Sequence, residues 1–433
     1  MKRTKRTAKR VAVAIMAAAL TMSNVTVPAY AEGSDSTATE GTVSDEAQAA
    51  ASTENENQSE DSETDDTQSS ETRTTGEDAG GFPGGGFPGG GGFPGGGPGG
   101  SAEAADPIEG NIVDVVLNVG ANESEVQVTW YTKSETAKLQ LTKENGEAME
   151  YAAESKESGY TASYESESTD ETTGETATET TEVPYYSHKV ALTGLESGAS
   201  YSYKVSGTDE DDQEIWSDVY TYTVKDTLES FEFIVAGDPQ IGSSSTETDA
   251  ENWANTMNTA VNAFPNTSFL ISVGDQINSA RNDDNKAEQN FVGFLNEDSL
   301  LTSIPLAASV GNHDNSHVQA YTSHYELPNV SSYGSTSDEV DGEEDYSFTY
   351  GNTLFMMLNT NSSSIAEHKA FIEETVKENP DCTWKVVAFH QSIYSVASHV
   401  NDGNIADLRD GLSPVFAQND IDVVLMGHDH VYA

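Results

Sequence analysis

The chain has 433 residues, with 73 Asp and Glu against 20 Lys and Arg, for a formal net charge of -53. Such a surface repels nucleic acid and anionic membranes, which excludes both as partners, and it opposes anionic substrates unless a bound metal inverts the local field. One cysteine, Cys382, excludes an internal disulfide, so the fold must rest on its core or on metal.

Lys2, Arg3, Lys5, Arg6, Lys9 and Arg10 form a basic n-region, and Val11 to Met22 is apolar but too short to span a bilayer. Ala29-Tyr30-Ala31 then supplies a small-x-small cleavage site. This pattern predicts a secretory signal peptide over 1–31 and hence a secreted protein, extracellular or at the cell surface. No later stretch reads as a transmembrane segment.

Residues 32–105 read as a disordered linker. The first part is Ser, Thr, Glu, Asp and Gln with almost nothing to bury. Phe82-Pro83, Phe87-Pro88 and Phe93-Pro94 then repeat within glycine, a flexible tether stiffened locally by proline and suited to association with a cell wall or surface.

The segment 106–227 reads as short strands. Val126, Val128 and Trp130 alternate with polar residues, as do Ala137, Leu139 and Leu141, and Tyr220, Tyr222 and Val224. The acidic, Thr-rich stretch Glu154 to Glu182 is expected to be a disordered loop. The run from Leu192 to Val205, with Gly194, Gly198, Tyr201 and Tyr203, looks like the corner of a fibronectin type III-like sandwich, where a tyrosine hydroxyl caps a loop backbone.

From 228 to 433 the texture changes. Apolar runs at Phe231–Ala236, Phe269–Val273, Ile304–Val310, Leu354–Leu358, Lys385–Phe389 and Val423–Met426 read as buried strands. Trp253, Met257, Ala260, Val261 and Phe264 fall at helical spacing, so the alternation predicts an α/β layered fold. Five of the strands end in polar motifs: Gly237-Asp238-Pro239-Gln240, Gly274-Asp275, Gly311-Asn312-His313-Asp314, His390, and Gly427-His428-Asp429-His430. Ligands of open α/β sheets sit outside the carboxyl ends of the strands. Carboxylate, amide oxygen and imidazole delivered to one edge suit Zn, Mn or Fe. The glycines allow tight turns and close backbone approach.

In this order the motifs closely resemble the calcineurin-like metallophosphoesterase superfamily, including its purple acid phosphatase branch, in which a small β-sandwich precedes the catalytic domain. The stretches Ala388-Phe389-His390-Gln391-Ser392-Ile393-Tyr394-Ser395 and Gly427-His428-Asp429-His430-Val431-Tyr432 strengthen the likeness. The resemblance implies a four-layer α/β/β/α domain, two divalent or trivalent metal ions (Fe, Mn or Zn), and hydrolysis of a small phosphate ester by metal-hydroxide attack, with phosphomonoesters as substrate. The alternatives are a phosphodiesterase of the same fold and a non-catalytic surface protein with an inactive domain. It also implies roles. Asp275 would bridge both metals. Asp238 and His430, with Gln240, would serve the first, and Asn312, His390 and His428 the second. His313 would act on the transition state or leaving group, with Asp314 orienting it. Asn312, His313 and His399 would contact substrate, and Tyr394 would pack beside the site.

Three departures from the family pattern carry expectations. Gln240 stands where many relatives have histidine, a weaker ligand for the first metal. Asn278 stands at the tyrosine position of purple acid phosphatases, so no tyrosinate colour is expected. Relatives continue past His-x-His with an arginine and further strands, so the chain is expected to be C-terminally truncated.

Overall fold

The computed structural model describes residues 14–15, 105–169, 176–209, 211–226, 230–278, 283–295 and 297–431. The expected linker, apart from its last residue, and the expected signal peptide, apart from strand β1 (Ala14–Ile15), lie outside the described residues. Among the described residues no helix is long and apolar enough to cross a membrane.

The first part is a β-sandwich. Its strands are β2 (Ile112–Val119), β3 (Val126–Thr132), β4 (Lys138–Lys143), β5 (Ala148–Ala152), β6 (Glu154–Thr169), β7 (Thr176–Leu192), β8 (Ser200–Thr208), β9 (Glu214–Trp216) and β10 (Tyr220–Thr223). One sheet runs β2-β3-β7-β6 and the other β10-β8-β4-β5, with β9 on β8. The predicted alternation holds: Val126, Val128, Trp130, Leu139, Leu141 and Tyr222 all point into the core between the sheets. The Trp130 indole, buried there, donates from Nε1 to the Ser206 carbonyl at 3.0 Å, so its one polar atom is satisfied. At the expected corner the Tyr201 hydroxyl accepts the Glu196 N–H at 2.9 Å.

Outside residues 170–175, which are not described, the stretch Glu154 to Glu182 is strand rather than disordered loop. Its described residues form β6 and much of β7, an antiparallel pair running from Glu154↔Lys189 out to Thr169↔Thr176. Threonine-rich segments favour strands, and Tyr160 and Ala162 are buried at period two against Ile108, Tyr131 and Tyr185. The distal half of β7 is exposed on both faces, so backbone pairing rather than burial holds it.

The second part has β11 (Glu232–Ala236), α1 (Thr246–Ala263), β12 (Thr267–Ser272), α2 (Asp284–Leu295), β13 (Leu306–Ala308), α3 (Val318–His324), β14 (Tyr346–Tyr350), β15 (Thr353–Met357), α4 (Ile365–Glu378), β16 (Trp384–Ala388), α5 (Gly403–Gln418) and β17 (Val423–Leu425). Strands β11, β12 and β13 are parallel and lead into β2 of the sandwich through one residue pair, Leu306↔Asn118. Strand β1 pairs in parallel on the outer side of β11. The other sheet is β14-β15-β16-β17, parallel except for β14.

Period-two alternation explains the layers. In β15, Phe355 and Met357 face the first sheet while Leu354 and Met356 face the opposite way; in β16, Val386 and Ala388 divide from Val387 in the same manner. Between the sheets Phe233 stacks on Phe269 at 5.2 Å, and Phe355 meets both edge-on at 5.4 and 5.3 Å. Removing one such ring costs about 3–5 kcal/mol. Outside the first sheet lie α1 and α2, with Trp253 on Phe294 at 5.1 Å. Outside the second lie α4 and α5, through Phe371, Ile372, Leu408, Leu412 and Phe416. The result is the expected α/β/β/α order.

The two parts are joined by backbone capping. The last carbonyls of α3 lack partners within the helix, and the sandwich supplies them. Lys189 Nζ donates to the Thr322 and Tyr325 carbonyls, Ser187 Oγ to Ser323, and Thr129 Oγ1 to His324. Asn118 Oδ1 accepts the Glu326 N–H at 2.9 Å.

Candidate metal centre

The carboxyl ends of β11, β12, β13, β16 and β17 meet at one edge, and each delivers the residues expected of it. The turns there are strained. Asp238, Gln240, Asp275, His428 and His430 all have positive φ, between 43° and 75°. Each such residue outside glycine costs about 1–3 kcal/mol, strain that concentrates where side chains are held for function. Close approach requires glycine at two places. A Cβ on Gly274, itself at φ +97°, would lie 2.7 Å from His390 Nδ1, and one on Gly311 would lie 2.1 Å from Asp275 Oδ1.

His390 sits at the focus. Its Nδ1 lies 2.9 Å from the Val273 carbonyl, which can only accept, so Nδ1 carries hydrogen. Its Nε2 then faces Asn312 Oδ1 at 3.0 Å, Asp275 Oδ2 at 3.2 Å and His428 Nδ1 at 3.2 Å. Lone-pair atoms from four loops converge on one small volume, and one ligand atom each from Asp275, His390 and His428 lies within 4.8 Å of the others. Such a donor set fits a cation. The backbone carbonyl on the far ring nitrogen is the support that metal-binding imidazoles usually have. A second group forms beside it: Asp238 Oδ1 is 3.5 Å from His430 Nε2, and both Asp238 oxygens accept the His428 N–H, at 2.9 and 3.0 Å.

The electrostatics of the protein alone point the same way. Burial would raise the Asp275 carboxyl, but His390 and His313 outweigh it and hold it down to about 2. Burial opposes charge on His390 too, yet Asp275, with Asp238 beyond, pushes it up to about 9. His428 is held down to about 4 by burial and by the neighbouring His390 and His399 rings. His430 is raised by its contact with Asp238.

Several expected residues are placed differently in detail. The Gln240 amide nitrogen donates to Asp275 Oδ2 at 3.2 Å, so it orients the carboxylate expected to bridge. Asp314 does not orient His313. It is fully buried, and its oxygens accept the backbone N–H groups of Ile277 at 3.1 Å and Gly311 at 2.8 Å, tying the third loop to the second. Burial and the nearby Asp275 charge raise it to about 7 against those two hydrogen bonds. His313 itself donates its N–H to Asp275 Oδ1 at 2.8 Å and turns its ring into the site, Nε2 3.8 Å from Asp275 Oδ2. Tyr394 does not pack beside the site: it is exposed and bonds Ser413 Oγ at 2.8 Å.

A cavity of about 320 Å³ opens over these groups, lined by Gln240, Asp275, Asn312, His313, His428 and His430 together with Ser398, His399 and Asp429. The His399 ring lies against His428, ring centres 4.3 Å apart and tilted by 37°. Asn361 escaped the sequence reading. It follows β15 and donates from Nδ2 to the Val310 and Gly311 carbonyls at 3.1 and 3.3 Å, bracing the third loop. The Asn359-Thr360-Asn361 run beyond that strand was the available signal.

Residues 231–432 match the calcineurin-like phosphoesterase family, and residues 112–224 match the purple acid phosphatase N-terminal domain. The second part of the chain is thus a domain of the calcineurin-like phosphoesterase type, a family of hydrolases built on dinuclear metal centres. Among solved structures it is similar to the purple acid phosphatase PPD1 from yellow lupin (Lupinus luteus) seeds, at 16% identity and a TM-score of 0.54, over 73% of this chain and 58% of that one. The chain thus spans little more than half of the lupin enzyme, and at this identity the likeness is one of fold. The FN5 domain of Drosophila Lar matches 28% of this chain and 97% of its own length at 13% identity, with a TM-score of 0.15 that supports nothing further. No curated protein matches the chain.

Proposed function

We propose that the chain is a phosphoesterase acting on small phosphomonoesters at a dinuclear centre of the Zn, Mn or Fe class, outside the cytoplasm. The observation that carries this is the convergence on His390 Nε2, with Asp275, Asn312 and His428 brought to one ring nitrogen from separate strand ends. When bound, such a pair of cations polarises the phosphoryl oxygens and supplies a nucleophile from water near neutral pH. Asp275, whose Oδ2 faces His390 Nε2 and whose Oδ1 accepts the His313 N–H, would bridge the two positions. Asp238 and His430 hold the first position, with Gln240 fixing the bridging carboxylate. Asn312, His390 and His428 hold the second. His313, its backbone anchored on Asp275, turns its ring to the cavity and protonates the leaving alkoxide. His399 and Ser398 close the far wall and contact the substrate. Export rests on the basic and apolar N-terminal pattern with its Ala29-Tyr30-Ala31 site.

Turnover of a panel of phosphomonoesters and phosphodiesters, with zinc, manganese or iron added, tests this. Metal-dependent release of phosphate from monoesters is expected. Exclusive turnover of diesters would move the substrate class, and no turnover with both positions filled would leave a metal-binding surface protein.

A further inference from the structure

A second cluster of ligand-type side chains lies away from the site, where the sandwich meets the phosphoesterase domain. Asp114 comes from β2, Glu288 from α2 and His324 from the end of α3. All three are buried to within 2% of complete, and one ligand atom from each lies within 4.8 Å of the others. His324 Nε2 is 2.9 Å from Glu288 Oε2. The other ring nitrogen, Nδ1, is fully buried, has no hydrogen-bond partner among the described residues, and faces Asp114 Oδ2 at 3.8 Å.

That distance is too long for a hydrogen bond. Two ligands ~2.1 Å from a shared ion sit roughly 3 to 4.2 Å apart, depending on the angle between them, so it suits atoms bound to one cation. With Nε2–H donating to Glu288, Nδ1 presents a lone pair to a carboxylate, an arrangement that needs positive charge between them.

The backbone supports the same reading. Asp114 has φ +56° between Val113 and Val115 of β2, and the β2–β3 register shifts between Val113 and Val116. The bulge turns an acidic side chain inward at a cost in strain, which implies a use for it. The imidazole is fixed between Tyr131, stacked at 4.3 Å and 9°, and Phe291 at 4.6 Å.

We propose that His324 Nδ1 and Asp114 bind a structural divalent cation, of the zinc or manganese class, that ties the sandwich to the phosphoesterase domain, with Glu288 holding the imidazole through Nε2–H. Imidazole and carboxylate favour these ions. A second carboxylate oxygen or a water completes the shell. Burial gives the ion no open position for a substrate, so it is a structural site.

The test uses the full chain with Asp275→Asn and His390→Ala, which disable the centre at the strand ends, so the outcome is independent of the phosphoesterase reading. Zinc alone is titrated and bound metal measured per chain, with near-ultraviolet circular dichroism as the check on folding. One zinc per chain is expected, with a rise in melting temperature. Adding His324→Gln or Asp114→Asn should abolish both binding and rise. Folded chains that keep the zinc after both changes, or bind none before them, overturn the proposal. If the variants do not fold, anomalous scattering at the zinc edge from crystals of the zinc-loaded parent decides. A peak ~2.1 Å from a His324 ring nitrogen supports the site, and no peak there overturns it.

Discussion

Gly311→Ala probes how closely the third strand-end loop must approach the second. The added Cβ would stand 2.1 Å from Asp275 Oδ1 and 2.2 Å from the Asp275 backbone nitrogen, against the 3.0 Å below which real Cβ contacts essentially never fall. The loops must therefore part by about 1 Å. Neither obstacle is the free end of a flexible side chain, since the carboxylate is also held by His313 N–H and by Gln240. Overpacking of this kind costs about 1–3 kcal/mol. A misplacement of ~1 Å at a reacting centre costs ~10²-fold in rate. Urea unfolding and turnover of nitrophenyl phosphate at saturating metal measure the two effects. Gly403→Ala is the control, because its Cβ meets nothing within 4 Å. Parental turnover and parental stability in Gly311→Ala would refute the close packing of the two loops.

Three further outcomes are expected. His313→Ala should keep the metal content and lower turnover by ~10²–10⁴-fold, less for substrates with good leaving groups; an equal loss on nitrophenyl and alkyl phosphates would point to electrostatic stabilisation. His188 is fully buried between Thr132 Oγ1 at 2.7 Å and Ser155 Oγ at 2.8 Å, and burial lowers it from 6.5 to about 4. The unfolded chain therefore binds the extra proton between those values, so this stabilisation is complete above pH 6.5 and is lost as pH falls towards 4. It amounts to roughly 3 kcal/mol. Unfolding of His188→Gln measured across that window should show a flatter slope, and an unchanged slope would remove His188 as the cause. Tyr201→Phe deletes the acceptor of the Glu196 N–H and should cost about 1–3 kcal/mol with turnover unaffected; a change in turnover alone would contradict that division of roles.

The layers and most of the site were legible because the core strands are apolar on both faces and end abruptly in glycine and a polar ligand type. Phe269 to Val273 followed by Gly274-Asp275 leaves few other readings. What the sequence hid was contact between loops distant in the chain. Asp314 follows His313 directly, so it invites the role of partner, yet its carboxylate turns to Gly311 and Ile277. Gln240 stands at a ligand position, but its amide reaches Asp275. The β6–β7 hairpin was masked by composition: glutamate and threonine in bulk resemble disorder, while burial of Tyr160 and Ala162 depends on Ile108, Tyr131 and Tyr185 from elsewhere. β14 was missed because Tyr346 to Tyr350 follows an acidic stretch and lacks an aliphatic run. The Asp114, Glu288 and His324 cluster draws on three elements and has no spacing to betray it.

Elemental analysis of the parent and of Asp275→Asn, each loaded with zinc and freed of excess, tests the bridging role of Asp275 most directly. If its carboxylate joins two positions served by Asp238 and His430 on one side and by Asn312, His390 and His428 on the other, its neutralisation should remove two metals per chain together and abolish phosphomonoester turnover. Retention of both metals at the strand ends, with turnover intact, would contradict it.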